Sequence, residues 1–269
     1  METLIMGAIA LAVALVVRGR EALAFRWQPT RHTWVAIGTG LLAFAFSASI
    51  LFVGMDTLAA KVIHNGLIYV VCGFAIPWGY TLLVEQSSLA EMGLKRERWA
   101  LSLVLSLVLA ALFSPLIIFE GNLGGIGWAK TARAAFVLTG AGGLFELFLY
   151  YGFIHLRLEK AFGSLPAILV TSLLYVSWHT GTQLPLEPDP LVAAVKLFGV
   201  GVMYQSVFSL TRNLLIIWPF FHLSGVMIDF AVNIGAVEQI SDNLPWAIGT
   251  VIAMAAVGAL LAWMNRTSR

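Results

Sequence analysis

The sequence predicts an all-α fold, a polytopic transmembrane helical bundle of about eight or nine spans. Of the 269 residues, 59% are hydrophobic and only 11% are charged, whereas ordinary soluble domains carry roughly 25% charged residues. The mean hydropathy of +0.88 points the same way. The apolar runs are long enough to cross about 30 Å of hydrocarbon. They are continuously apolar, which argues against the alternating pattern of a transmembrane β-barrel.

Nine apolar runs are predicted as membrane spans, at 2–17, 33–54, 66–84, 99–119, 132–154, 164–184, 191–210, 213–234 and 244–264. We expect residues 1–84 to form N-terminal transmembrane helices and 85–235 a core bundle. Residues 236–269 would form a last transmembrane helix and a basic tail. The basic run 155–160 is expected to link the fifth and sixth spans.

Charge is distributed unevenly between the loops. Lys and Arg gather in 18–31, 94–98 and 155–160, at Arg212 and at the C-terminus, whereas the alternate loops are neutral or acidic. The positive-inside rule then places the N-terminus outside and the C-terminus in the cytoplasm, which nine spans satisfy. No basic patch interleaved with aromatics suggests a nucleic-acid partner. The single cysteine, Cys72, excludes an intrachain disulfide.

Ionisable side chains at bilayer depth are costly and indicate function. The candidates are Glu146 in the fifth predicted span, His179 in the sixth, and His222 and Asp229 in the eighth. At 1.5 Å per residue, Glu146 and His222 would share one depth, and His179 would lie further toward the outer end.

A glutamate and two histidines at one cavity support three kinds of chemistry. A buried carboxylate is a good base for water, and an imidazole can donate to a developing oxyanion, which gives a hydrolase without a covalent nucleophile. The same groups, Glu146, His179 and His222, are also ordinary zinc ligands. A proton relay in a transporter is a third alternative, but no inverted repeat or pair of broken helices supports it. Tyr150 lies one turn from Glu146 and is expected within hydrogen-bonding reach.

These residues lie in motifs that are similar to those of the CAAX protease and bacteriocin-processing family (CPBP or Abi), the glutamic intramembrane proteases. Its first signature, E-E-x-x-x-R followed by Gly, aligns with "ELFLYYG" at 146–152. Its second, F-x-x-x-H, aligns with "YVSWH" at 175–179, where Tyr175 replaces Phe. Its third, H-x-x-x-N/D, begins at His222 after "NLLIIWPFF". The stretch "LAEMGLKRERW" resembles one that precedes the family core, so the resemblance covers roughly 85–235.

The resemblance implies an intramembrane endopeptidase in which Glu146 and His179 activate water and His222 supports the oxyanion. The implied substrate is a hydrophobic or lipidated peptide near membrane lipids. No cofactor is implied, with a metal held by the three residues as the alternative. The implied location is a bacterial plasma membrane.

The chain departs from the family pattern at three positions. Leu147 replaces the second glutamate, Tyr151 the arginine, and Val226 the Asn or Asp of the third signature. Asp229 cannot be carried over, because its spacing differs, and we expect it only as a support residue together with the tyrosines. Leu147 and Tyr151 make the pocket more apolar. A relative with altered or lost chemistry on a lipid-soluble substrate, or a membrane binding or scaffold protein, is therefore the alternative.

Overall fold

The computed structural model describes residues 2–54, 56–96, 143–181 and 189–221, together with isolated positions in 99–108 and 252–263. Every regular element within these ranges is helical, which agrees with the predicted all-α fold. The predicted spans 99–119 and 244–264 lie almost wholly outside the described residues. The count of eight or nine spans therefore stays a prediction.

Seven principal helices make up the described bundle. They are α1 (Glu2–Arg18), α2 (Arg31–Val53), α3 (Leu58–Val84), α4 (143–162), α5 (Ser164–Trp178), α6 (Pro190–Thr211) and α7 (Leu214–Phe221). Within these ranges, α2, α3 and α6 are long and apolar enough to cross a membrane, and α1 is a shorter apolar helix. Helices α3 and α4 both contain π-helical segments, Val62–Ala75 and Leu147–His155 among them.

Helix α3 begins eight residues before its predicted span. The Thr57 side chain accepts a hydrogen bond from the Ala60 amide, which is the usual way for a threonine to cap the first turn of a helix. The polar residues that follow, among them Lys61 and His64, are therefore helical. The helix therefore begins before residue 66, where the predicted span starts.

Helix α4 also runs past its predicted end. Residues 155–160 are helical rather than a linker, and the chain turns only at Gly163, whose φ of 96° suits glycine. A side chain would also be excluded there, because a Cβ on Gly163 would lie 2.3 Å from the Ala24 carbonyl oxygen. The sequence "HLRLEK" is thus part of the bundle.

Ion pairs tie the ends of several helices together. Arg157 of α4 bonds both carboxylate oxygens of Glu85, just beyond α3, and donates to the Thr81 hydroxyl at 2.8 Å. Arg18 at the end of α1 and Arg212 after α6 both pair with Glu159 of α4. The ends of α1, α3, α4 and α6 therefore meet, and we call this the basic end of the bundle.

Glu159, beyond the predicted span 132–154, is held ionised by this arrangement. Burial raises the pKa of its carboxyl, while the charges of His155, Arg18 and Arg212 and the Ser164 hydroxyl lower it, and the resulting pKa is about 2. Because the folded pKa lies below the ordinary value of 4.5, ionised Glu159 stabilises the fold above that value. The contribution is lost as the pH falls toward 2.

Close backbone approaches at glycines set the spacing of the helices. Gly7 of α1 and Gly199 of α6 face each other, and a Cβ on Gly7 would lie 2.6 Å from the Gly199 carbonyl oxygen. Between α3 and α4, a Cβ on Gly73 would lie 2.7 Å from the Phe145 ring. Small residues at such crossings are typical of helix packing in membranes. The second contact fixes the part of α4 that carries Glu146.

Candidate active site

Glu146 lies on the first described turn of α4, with 7% of its surface exposed. Its neighbours Phe145 and Leu147 are also buried. Phe145 packs on Gly73, so α4 approaches α3 closely here. The carboxyl group is therefore enclosed by helices rather than displayed on the bundle surface.

His179 immediately follows the last residue of α5, and the chain then forms a short 3-10 turn, His179–Gly181. Its Nδ1 lies 2.8 Å from the Tyr175 carbonyl oxygen. Its Nε2 lies 3.7 Å from Oε1 of Glu146. The structure thus brings together two of the three predicted catalytic residues, from positions 33 residues apart in the sequence.

The hydrogen bond to Tyr175 determines the tautomer of the neutral His179 ring. A carbonyl oxygen only accepts, so Nδ1 carries the hydrogen and Nε2 carries the lone pair. Nε2 lies 3.7 Å from Oε1 of Glu146, which is too far for a direct hydrogen bond, and both atoms are acceptors when the carboxyl group is ionised. A water molecule supplies two O–H donors, so one water suits the pair. The pair has the geometry to hold and polarise a water.

Aromatic rings surround the pair. Trp178 contacts the rings of His179 and Phe145, with centroids 4.2 and 5.0 Å away. Tyr69 of α3 packs on Phe145 at 5.2 Å. The two polar groups are therefore set in largely apolar walls, where electrostatic interactions are stronger than in water.

The predicted support tyrosines lie on two sides of α4. Tyr150 meets the Tyr175 ring at 5.7 Å, and its hydroxyl is buried without a hydrogen-bond partner in the described part of the chain. The expected hydrogen bond between Tyr150 and Glu146 is therefore not formed. Tyr151 packs instead between Phe208 of α6 and Phe221 of α7.

His222 and Asp229 lie outside the described residues, so their predicted roles stay predictions. Phe221, the last described residue of α7, packs on Tyr151 and on Tyr204. A metal set that includes His222 is likewise untested. Within the described ranges, no three His, Cys, Asp or Glu side chains are grouped as metal ligands.

His64 is a candidate that the sequence interpretation missed. Its ring stacks on Trp178 with centroids 6.3 Å apart and contacts Tyr69 at 4.4 Å. It is also close enough to interact electrostatically with His179. The capping residue Thr57 was the available signal, because a helix that begins there carries His64 on the same face as the buried Ile68 and Cys72.

The glycine of the first motif has a packing role. A Cβ on Gly152 would lie 2.7 Å from the Met92 carbonyl oxygen. Met92 belongs to the "LAEMGL" stretch and is fully buried, and the Gly93 carbonyl accepts the Leu214 amide at 2.9 Å. This stretch therefore packs between α7 and α4, the helix that carries Glu146.

The comparisons with known proteins agree with the motifs. Residues 127–227 match a family model described as type II CAAX prenyl endopeptidase Rce1-like. The chain therefore contains an Rce1-like region. Its match spans less than half of the chain and includes Glu146, His179 and His222 but not Asp229. No curated protein and no solved structure gives a significant match.

This result confirms the predicted resemblance to the CAAX protease family. The Rce1-like family is a family of membrane-embedded proteases, which supports a hydrolase in a membrane. Two of the predicted motif residues, Glu146 and His179, lie both in the matched region and within the described residues. Their side chains approach to 3.7 Å.

Proposed function

We propose that the protein is an intramembrane endopeptidase that uses water activated by Glu146 and His179. The observation that carries the proposal is the 3.7 Å approach of Glu146 Oε1 to His179 Nε2, with Nδ1 of the same ring bound to a carbonyl. The match to a protease family supports peptide hydrolysis as the reaction.

The proposed reaction begins with a water held by both acceptors. Its oxygen attacks the carbonyl carbon of the scissile peptide bond, and its proton passes to Glu146. The tetrahedral oxyanion is stabilised by a donor, the role we assign to His222. Glu146 then delivers the proton to the leaving nitrogen as the C–N bond breaks. No covalent enzyme intermediate and no metal take part.

The walls of the site favour an apolar substrate. Phe145, Trp178 and Tyr69 lie around the Glu146–His179 pair, and Leu147, next to Glu146, occupies a position that is a glutamate in the family signature. We therefore propose a hydrophobic or lipidated peptide as the substrate. The bond to be cleaved would lie at or near the membrane.

A second candidate is a relative whose chemistry has changed. Tyr151, at the arginine position of the signature, is fully buried between the Phe208 and Phe221 rings. A tyrosine does not supply the positive charge that arginine has at this position of the signature. The alternative is a protein that acts on, or only binds, another lipid-soluble molecule.

Peptide cleavage by the purified protein tests the two candidates. A broad panel including prenylated peptides is incubated with the parent, with Glu146→Gln and with Glu91→Gln, a control at an exposed glutamate. We expect the parent and the control to cleave a shared subset, and Glu146→Gln to lose that cleavage by a factor of about 10²–10⁴. If the parent cleaves nothing in the panel, the second candidate is favoured.

A further inference from the structure

The basic end of the bundle lies at one surface of the membrane. Helix α2 begins there at Arg31, and α3 ends there at Val84. The two ends are adjacent, because Nδ1 of His32 on the first turn of α2 lies 3.3 Å from Oε1 of Glu85, just beyond α3. Both helices are long enough to cross a hydrocarbon layer about 30 Å thick. Their ends on this side therefore lie at the level of the lipid headgroups.

Residues 19–30, which connect α1 to α2, are docked on this end of the bundle. The backbone amides of Arg26 and Gln28 donate to two carbonyl groups at the end of α4, at 3.1 and 3.0 Å. The Trp27 ring packs on Phe162, the last residue of α4, with centroids 5.2 Å apart. The backbone of this connection is therefore fixed, and its outward side chains have defined positions.

Large apolar side chains are exposed along the connection and the start of α2. Phe25 and Trp27 are 65% and 66% exposed, with ring centroids 6.3 Å apart, and Trp34 on the first turn of α2 is 53% exposed. Grouped apolar side chains on a surface mark contact with a membrane or another molecule. Tryptophan is enriched where hydrocarbon meets headgroups, because its ring is apolar with one polar N–H group. These rings are therefore placed to contact lipid.

Three arginines are exposed beside these rings, at Arg20, Arg26 and Arg31. Among the described residues, no side chain forms an ion pair with any of the three, whereas Arg157 and Lys160 at the same end both pair with glutamates. The connection contains a single acid, Glu21, so its net charge is positive. A guanidinium group matches the oxygens of a phosphate through two parallel N–H donors. The three arginines are therefore suited to an anionic phosphate group.

We propose that residues 19–31 and Trp34 form a binding surface for anionic phospholipids. The arginines bind the headgroup phosphate, and the rings of Phe25 and Trp27 enter the interface beside the acyl chains. A zwitterionic lipid also carries a phosphate, but its own cationic group cancels that charge, so it binds more weakly. The surface does not depend on the reaction at the Glu146–His179 pair.

Lipid binding by the purified full-length protein tests the proposal. The protein is titrated in detergent with phosphatidylglycerol, phosphatidylcholine or inorganic phosphate, and the bound molecules are counted by native mass spectrometry. The variants are Arg26→Gln and the triple variant Arg20→Gln/Arg26→Gln/Arg31→Gln. Lys61→Gln is the matched control, because it removes one exposed charge at the opposite end of α3. Thermal unfolding of each variant verifies that it is folded.

We expect the parent to bind phosphatidylglycerol more tightly than phosphatidylcholine. An arginine near an anionic lipid surface contributes about a fivefold factor in binding. Arg26→Gln should therefore weaken phosphatidylglycerol binding by about fivefold, and the triple variant should lose the preference between the two lipids. Lys61→Gln should bind like the parent.

Three results would overturn the proposal. The first is equal binding of the two lipids by the parent, and the second is a triple variant that keeps the preference. The third is binding of inorganic phosphate as tight as that of phosphatidylglycerol, which would identify a site for free phosphate instead of lipid. None of these measurements uses peptide cleavage, so a failure of the proposed function would leave the lipid surface unaffected.

Discussion

The Arg157–Glu85 pair at the basic end should stabilise the fold strongly. Both side chains are mostly buried, with 7% and 13% of their surfaces exposed. Arg157 donates to Glu85 through Nε at 2.9 Å, to Thr81 and to the Phe153 carbonyl, and its guanidinium lies 3.9 Å from the Phe153 ring centroid. Arg157→Met would leave Glu85 without this cation. Removing one partner of a buried pair typically costs about 3–5 kcal/mol.

A matched control is available at the same end of the bundle. Lys160 pairs with Glu91, but the two side chains are 71% and 48% exposed. Exposed pairs contribute about 0–1 kcal/mol, so Lys160→Met should have little effect. The free energy of unfolding is measured by SDS titration in mixed micelles. The double variant Arg157→Met/Glu85→Gln should recover part of the loss, because no buried charge is then left unpaired.

Two results would refute this reasoning. One is that Arg157→Met lowers the free energy of unfolding no more than Lys160→Met does. Burial of the Arg157–Glu85 pair would then not increase its contribution to stability. The other is a double variant whose loss of unfolding free energy equals the sum of the losses measured for Arg157→Met alone and Glu85→Gln alone. Additivity would show that Arg157 and Glu85 do not depend on each other.

Three further predictions follow from the geometry. Gly73→Ala should destabilise the protein by about 1–3 kcal/mol and reduce any activity, because its Cβ would meet Phe145 at 2.7 Å; a fully active Gly73→Ala would contradict the close packing. Stability measured between pH 5 and 2 should fall as Glu159 is protonated toward its pKa of about 2, and Glu159→Gln should fall less steeply over the same range. Treatment with EDTA should leave peptide cleavage unchanged, whereas a loss that zinc restores would support the metal alternative.

The sequence predicted the helical class, and it named Glu146, His179 and His222 as the candidates for one site, of which the structure describes the first two and brings them together. Charged and imidazole groups are rare in such apolar runs, so each one is informative. The resemblance to the family motifs added the expected role of each of these residues and their order along the chain. The distance between them was not predictable, since it depends on how α4 and α5 pack.

The helical structure of residues 155–160 was not predictable, because it is stabilised by contacts with residues far away in the sequence. The run 155–160 looked like a loop because it is charged, yet Arg157 is buried against Glu85 and Glu159 against Arg18. Hydropathy alone cannot show such pairing. His64 was overlooked for a similar reason. The polar residues around it lower the local hydropathy, so the apolar run begins later than helix α3 does.

The most direct test asks whether Glu146 and His179 act as one unit on water. Cleavage of a single responsive peptide is compared for the parent, Glu146→Gln, His179→Ala and the double variant. Each single change should lower kcat by about 10²–10⁴, and the double variant should lose no more than the worse single variant, as residues of one catalytic unit do. Single variants that cleave like the parent, or losses that multiply in the double variant, would contradict a shared water between these two side chains.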